Sequence, residues 1–85
     1  MIGAHQIARL RRRLEGIRDA RVAQVEAYLR ACGWVRRRAK GGHRAWVKAG
    51  HRTLVIPVHG TIVRQYVIGQ VLEATREEGE EQDAD

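Results

Sequence analysis

The chain has one cysteine, one proline, no apolar run long enough to cross a bilayer, and hardly any acid in its first 72 residues. Each scarcity excludes something. Cys32 alone cannot form an internal disulfide, so the fold depends on packing and suits a reducing compartment. The longest nearly uninterrupted apolar stretch, residues 54–58, falls far short of the roughly 18 residues of a membrane-spanning helix. No apolar segment follows the basic N-terminus as a signal peptide requires, so the expectation is a cytoplasmic protein without membrane association. A chain of 85 residues can bury about 60–65% of its unfolded surface, enough for one modest core and not for a large enzyme with a deep cofactor crevice.

What the chain does have is arginine. Residues 1–72 hold fifteen Arg or Lys against Glu15, Asp19 and Glu26, a net +12, while residues 73–85 hold seven acids and Arg76, a net −6. The total of +6 hides this division. So basic a body is the footprint of a nucleic-acid binder or of a protein that docks on an acidic partner; the plain alternative is a soluble domain with an Arg-rich surface.

Periodicity divides the chain further. Ile7, Leu10, Leu14 and Ile17 lie at intervals of three and four, predicting an amphipathic helix over residues 5–18. Asp19 then reads as the N-cap of a second helix over residues 20–32, with Val22, Val25, Leu29 and Cys32 as its apolar stripe and Gly33 as its left-handed stop. Extended segments follow at 34–40, 43–48 and 52–58, turned at Gly41-Gly42 and Gly50, with Pro57 near the end of the third. A last helix is expected from Ile62 or Arg64 to Thr75 or beyond. The organisation predicted is a basic helical extension (1–18), an α+β domain (19–76) and an acidic, solvated, flexible tail (77–85).

Three groups of residues then resemble a known family. Gly33-Trp34 ahead of the first strand, Lys40-Gly41-Gly42-His43 at the hairpin and Ile56-Pro57-Val58-His59-Gly60 before the last helix are similar to the HicA family of bacterial toxins, over roughly residues 20–75. The resemblance implies a small α-β-β-β-α fold like a double-stranded-RNA-binding domain, with a three-stranded antiparallel sheet and helices on one face. It implies a ribosome-independent endoribonuclease that cleaves mRNA and is neutralised by a HicB antitoxin encoded beside it. Family catalysis falls on His43. The N-terminal helix is extra to that pattern, and Arg64-Gln65-Tyr66-Val67 stands where members commonly carry a Lys-Gly-Thr-like lead into the last helix.

The chemistry is compatible with so small a site. RNA carries its own nucleophile, the 2′-hydroxyl, so cleavage needs a base, an acid and positive charge on the transition state. An imidazole, whose ordinary pKa lies near 6.5, can serve as base or acid at neutral pH. His43 is the candidate, with Lys40, Gly41, Gly42, Arg44, Arg36 and Arg38 as phosphate-binding residues. Such a site would need no metal or other cofactor and would not cut DNA. The alternative is a non-catalytic RNA-binding module on the same fold.

Other residues carry two readings. His59 is a second acid or base, or orders its loop through the backbone; His51 is expected to be exposed. His43, His51 and His59 recur every eight residues, inviting zinc with Cys32, although the spacing matches no standard site. Trp34 is expected to pack in the core; Trp46 either packs or, sharing a face with Arg44 and Lys48, stacks on bases or meets the antitoxin. Arg36-Arg37-Arg38 must point to both faces of a strand and is not expected to act as one three-Arg claw. The N-terminal helix docks on the domain or a partner, or binds RNA; the lack of bulky aromatics argues against a membrane. The tail is solvated or visits the basic face.

Overall fold

The computed structural model describes residues 3–38, 41 and 43–83, the side chains of 80–83 excepted. Its elements are α1 (Ala4–Leu14), β1 (Asp19–Arg21), α2 (Val22–Ala31), β2 (Val35–Arg37), β3 (His43–Val47), β4 (Leu54–Pro57), β5 (Ile62–Arg64), α3 (Gln65–Ala74) and α4 (Arg76–Asp83). The α+β architecture is the one expected: strands β2, β3 and β4 form an antiparallel sheet in that order, and α2 and α3 supply the helical layer. Among the described residues no helix is long and apolar enough to cross a membrane.

Hairpin registers assign each side chain to a face. Arg36 pairs with Trp46, Arg44 with Ile56 and Trp46 with Leu54. Paired residues share a face and neighbours alternate. Trp46 and Ile56 are buried against Val25, Tyr28 and Leu29 of α2 and Val67, Ile68 and Val71 of α3, so theirs is the helix-covered face. Lys48 reaches across to α2, donating to the Cys32 carbonyl at 2.7 Å where Gly33, at φ 92, ends the helix. Burial pushes the Cys32 thiol up to about 11, leaving it an inert core group.

Two boundaries differ from expectation for one reason. Asp19 does not cap a helix; residues 19–21 are a strand antiparallel to Ile62–Arg64, with Ala20 opposite Val63 and both buried. This small second sheet takes the first residues assigned to both helices. The turn joining β4 to β5 closes through His59, whose N–H and C=O both bond to Ile62, over Gly60 at φ 65.

The N-terminal helix docks on the domain through a hydrogen-bonded arginine. Arg11 is only 8% exposed. Its Nη1 donates to Tyr28 Oη at 2.8 Å, to the Thr75 carbonyl at 2.9 Å and to Thr75 Oγ1 at 3.0 Å, and its Nη2 donates to the Leu72 carbonyl at 3.3 Å. Leu14 is fully buried beside it, with Ile7 and Leu10 against the core. Burial raises the Tyr28 phenol to about 12 despite bonds from Thr75 and Arg11 that lower it, so it stays neutral. Within the tail expected to be solvated and flexible from residue 77, residues 77–83 belong to α4. It is tied down by Glu77, 3.0 Å from His51 Nε2, and by Gly79, whose missing side chain leaves room for the Arg11 guanidinium.

Candidate functional site

The hairpin end of the sheet opens into a depression of about 640 Å³. Arg36 and Arg37 enter it from the end of β2, Arg38 and Gly41 from the turn, and His43 and Arg44 from the start of β3. Val58 and Gly60 close it from the loop after β4. Lys40 and Gly42 lie outside the described residues. Gly41 adopts φ 67, a conformation that favours glycine.

Strand alternation sends Arg36 and Arg37 to opposite faces, as expected. All three members of the Arg36-Arg37-Arg38 run nevertheless line one depression. The run still does not act from one face of the strand: Arg36 turns to the helix side, toward Glu26, and Arg37 to the other.

His43 is exposed and paired through its backbone register with Pro57. Its imidazole makes no hydrogen bond or ion pair with another described residue, leaving both ring nitrogens open to a ligand. His59 is also exposed, but Val58 and Gly60 on either side of it line the basin while it does not. What His59 does in the fold is close the β4–β5 turn with its backbone. His51 stands elsewhere, bonded to Glu77 and to the Ala49 carbonyl, with its ring against the edge of Trp34 at 5.2 Å between centroids. Among the described residues no three His, Cys, Asp or Glu side chains converge, so the eight-residue histidine spacing and Cys32 do not assemble a metal site.

One residue of the site escaped the sequence. Glu26 projects from α2 toward β2 and β3, its side chain only 9% exposed, and accepts a hydrogen bond from Arg44 Nη1 at 2.9 Å; Arg36 Nη1 lies 3.7 Å from the same oxygen. A buried carboxylate is retained only when paired, and here it fixes two arginines of the basin. The available signal was its rarity: Glu26 is one of three acids in the first 72 residues and adjoins Val25 on the buried stripe. Its arginine partners, ten and eighteen residues later, are invisible to local pattern.

Glu26 divides the basin's charge. Arg36 and Arg44, on the helix side, are partly neutralised; Arg37 and Arg38 have no carboxylate partner among the described residues. Trp46 does share the face of Arg44 and Lys48, but that face is covered: Trp46 is fully buried with the Arg30 guanidinium 5.3 Å above its ring. Packing is its role, and no base can stack on it. Trp34 is buried as well.

The arrangement is an open, cationic cavity with one accessible imidazole, suited to holding a phosphodiester and moving a proton beside it. A family model described as the HicA toxin of bacterial toxin-antitoxin systems matches residues 22–75, the segment from the start of α2 to the end of α3. No curated protein and no solved structure matches the chain.

Proposed function

The chain belongs to the HicA family of bacterial toxins, the toxin partner of a toxin-antitoxin pair, and we propose that it is an endoribonuclease that cleaves mRNA with His43 as its proton-transfer group. The observation that carries this reading is the convergence of His43 with Arg36, Arg37, Arg38, Gly41 and Arg44 in one depression.

Arg37 and Arg38 take the non-bridging oxygens of the scissile phosphate, with the Gly41 backbone close enough to approach it. His43 removes the proton of the neighbouring 2′-hydroxyl, whose oxygen attacks phosphorus in line with the departing 5′-oxygen. The P–O5′ bond breaks, and the leaving oxygen takes a proton from water or a second acid, for which His59 at the basin's margin is the candidate. The products are a 2′,3′-cyclic phosphate and a 5′-hydroxyl. The arginines offset charge on the pentacoordinate transition state, so the step uses no metal, and DNA, lacking the nucleophile, is not cut. A HicB-like antitoxin neutralises the toxin by denying RNA the basin.

Purified protein incubated with RNA in EDTA should yield 5′-hydroxyl fragments. His43→Ala should lose at least about a hundredfold in rate, the ordinary contribution of a general base, while keeping RNA affinity within about threefold. Cleavage undiminished in His43→Ala would remove the histidine from the chemistry, and binding without cleavage by the wild-type protein would establish the non-catalytic RNA-binding module instead.

A further inference from the structure

Helices cover one face of the three-stranded sheet, and the other face is bare. Val35 pairs with Val47, Arg37 with Ala45, Ala45 with Val55 and His43 with Pro57, which places these side chains together on the face opposite Trp46. Val35 is 52% exposed and Val55 48%, against Ala45, shielded between its neighbours at 8%. An aliphatic strip therefore runs across the sheet and ends at His43, about 13 Å along β3 from Val47 at the usual rise per residue. It is continuous with the basin, and among the described residues no element covers it.

We infer that this open face is the docking surface of the antitoxin, and that the partner presents an apolar patch with carboxylates at its margin, placed to meet Arg37 and His43. This rests on the toxin reading above and adds to it the place of contact. Three observations select the occupant. Among the strand residues on this face there is no acid, and Glu26 is spent on Arg36 and Arg44 on the other side of the sheet. Arg37 is consequently left for a partner's carboxylate. A second copy of the chain fits badly, because its own strand residues on this face include no acid to meet Arg37 and both copies carry a net charge of +6. RNA fits the aliphatic strip badly too, since Val35, Val47 and Val55 offer no ring for a base to stack on, and the ring on this face, His43, stands only at its end. A protein seated on Val35, Val47 and Val55 closes the basin as a consequence of docking, without needing to fill it.

A competing surface lies at the outer edge of β4, a groove between Tyr66, which is 61% exposed, and Arg52. The experiment compares the two. The antitoxin encoded beside this chain is purified and titrated into the full-length wild-type protein and the Val35→Asp, Val55→Asp and Tyr66→Ala variants, with RNA cleavage measured on each protein alone. Val35→Asp and Val55→Asp are expected to weaken binding by at least about tenfold, the loss typical of a desolvated anchor, and to leave cleavage by the free toxin unchanged; Tyr66→Ala stays within about twofold. In the wild-type protein, the methyl resonances of Val35, Val47 and Val55 shift when antitoxin is added, a readout free of any folding defect in the variants. Undisturbed valine methyls, or release of antitoxin by Tyr66→Ala instead, would place the interface at the groove and overturn the inference. Loss of RNA cleavage in the folded Val35→Asp protein would overturn it in favour of RNA on this face. If the wild-type protein cuts no RNA, the catalytic reading falls and the titration still decides the docking surface.

Discussion

Replacing Glu26 by Gln tests whether the basin's charge is arranged or merely abundant. Glutamine keeps the size of the side chain and an oxygen for Arg44 Nη1, so what is lost is the charge in a 2.9 Å bond made by a side chain 9% exposed. A hydrogen bond to an ionised partner is worth about 1.5–3 kcal/mol, of which a neutral acceptor recovers roughly half to one. Arg36, at 3.7 Å and 47% exposed, adds little. The expected cost is about 1–2 kcal/mol, a fall of roughly 4–16 °C in Tm for a domain of this size. Binding should move the other way. Each arginine released to a phosphate steepens the logarithmic dependence of affinity on salt by about 0.7 for a single strand, so the slope should grow by roughly 0.7–1.4. Cleavage should slow, because arginines no longer fixed by α2 hold the phosphate in many poses. Tighter, more salt-sensitive binding with a lower kcat is the signature, measured by fluorescence anisotropy from 50 to 300 mM salt and by single-turnover cleavage. A melting temperature and salt slope both equal to wild type would show that Glu26 holds neither arginine, and the argument for an arranged basin would fail.

Two further outcomes follow from the way the ends of the chain are fastened. Arg11→Met should destabilise the protein by about 2 kcal/mol, roughly 8–16 °C in a thermal melt, because the charge-assisted bonds from α1 to Tyr28 Oη, the Thr75 carbonyl and the Leu72 carbonyl are lost together, while the Thr75 carbonyl keeps the Glu78 N–H at 3.0 Å and the 2.8 Å bond between Tyr28 and Thr75 survives; RNA cleavage below the new melting range should be unaffected. The Glu77 carboxyl is held below its usual range: partial burial pushes it up, and its backbone hydrogen bond and the His51 contact outweigh that. A folded-state pKa below the unfolded value means that its contribution is present above the unfolded pKa, near 4.3 for a glutamate, and is lost as pH falls through the folded one. Acid titration of the Glu77→Gln protein should therefore show a smaller stability difference from wild type below about pH 4 than at pH 7, and a constant difference would refute the assignment.

Much of the fold was written locally. Gly33 stops α2 with a positive φ as its position suggested, and the Gly41 turn and the alternation around Trp46 give the sheet. Alternation, however, says which residues share a face and not which face is covered, and so the Arg44, Trp46 and Lys48 side was open to an RNA-stacking reading that burial removes. Strands β1 and β5 were read as helix ends because their justification is each other, 45 residues apart at the Asp19–Arg64 pair. The acidic helix α4 was hidden for the same reason: Glu77 meets His51, and Gly79 accommodates Arg11. In the site, His43 and its arginines were legible as a cluster near one turn. Glu26 was not, since its importance lies in burial beside partners from two other elements.

The Arg11–Thr75 contact also orders events in time. Its partners stand 64 residues apart, and the stretch between them contains α2, the whole sheet and every residue of the basin. In a chain emerging from the ribosome α1 precedes α2, so α1 has nothing to dock on until α2 exists and no way to lock until residue 75 has been made. Contacts this distant in sequence form late, after the entropy of closing the intervening chain has been met. A nascent chain interrupted before residue 75 thus carries the complete basin on a scaffold whose last fastening is missing. Synthesis of Thr75 is what gives Arg11 the partner that locks α1 in place.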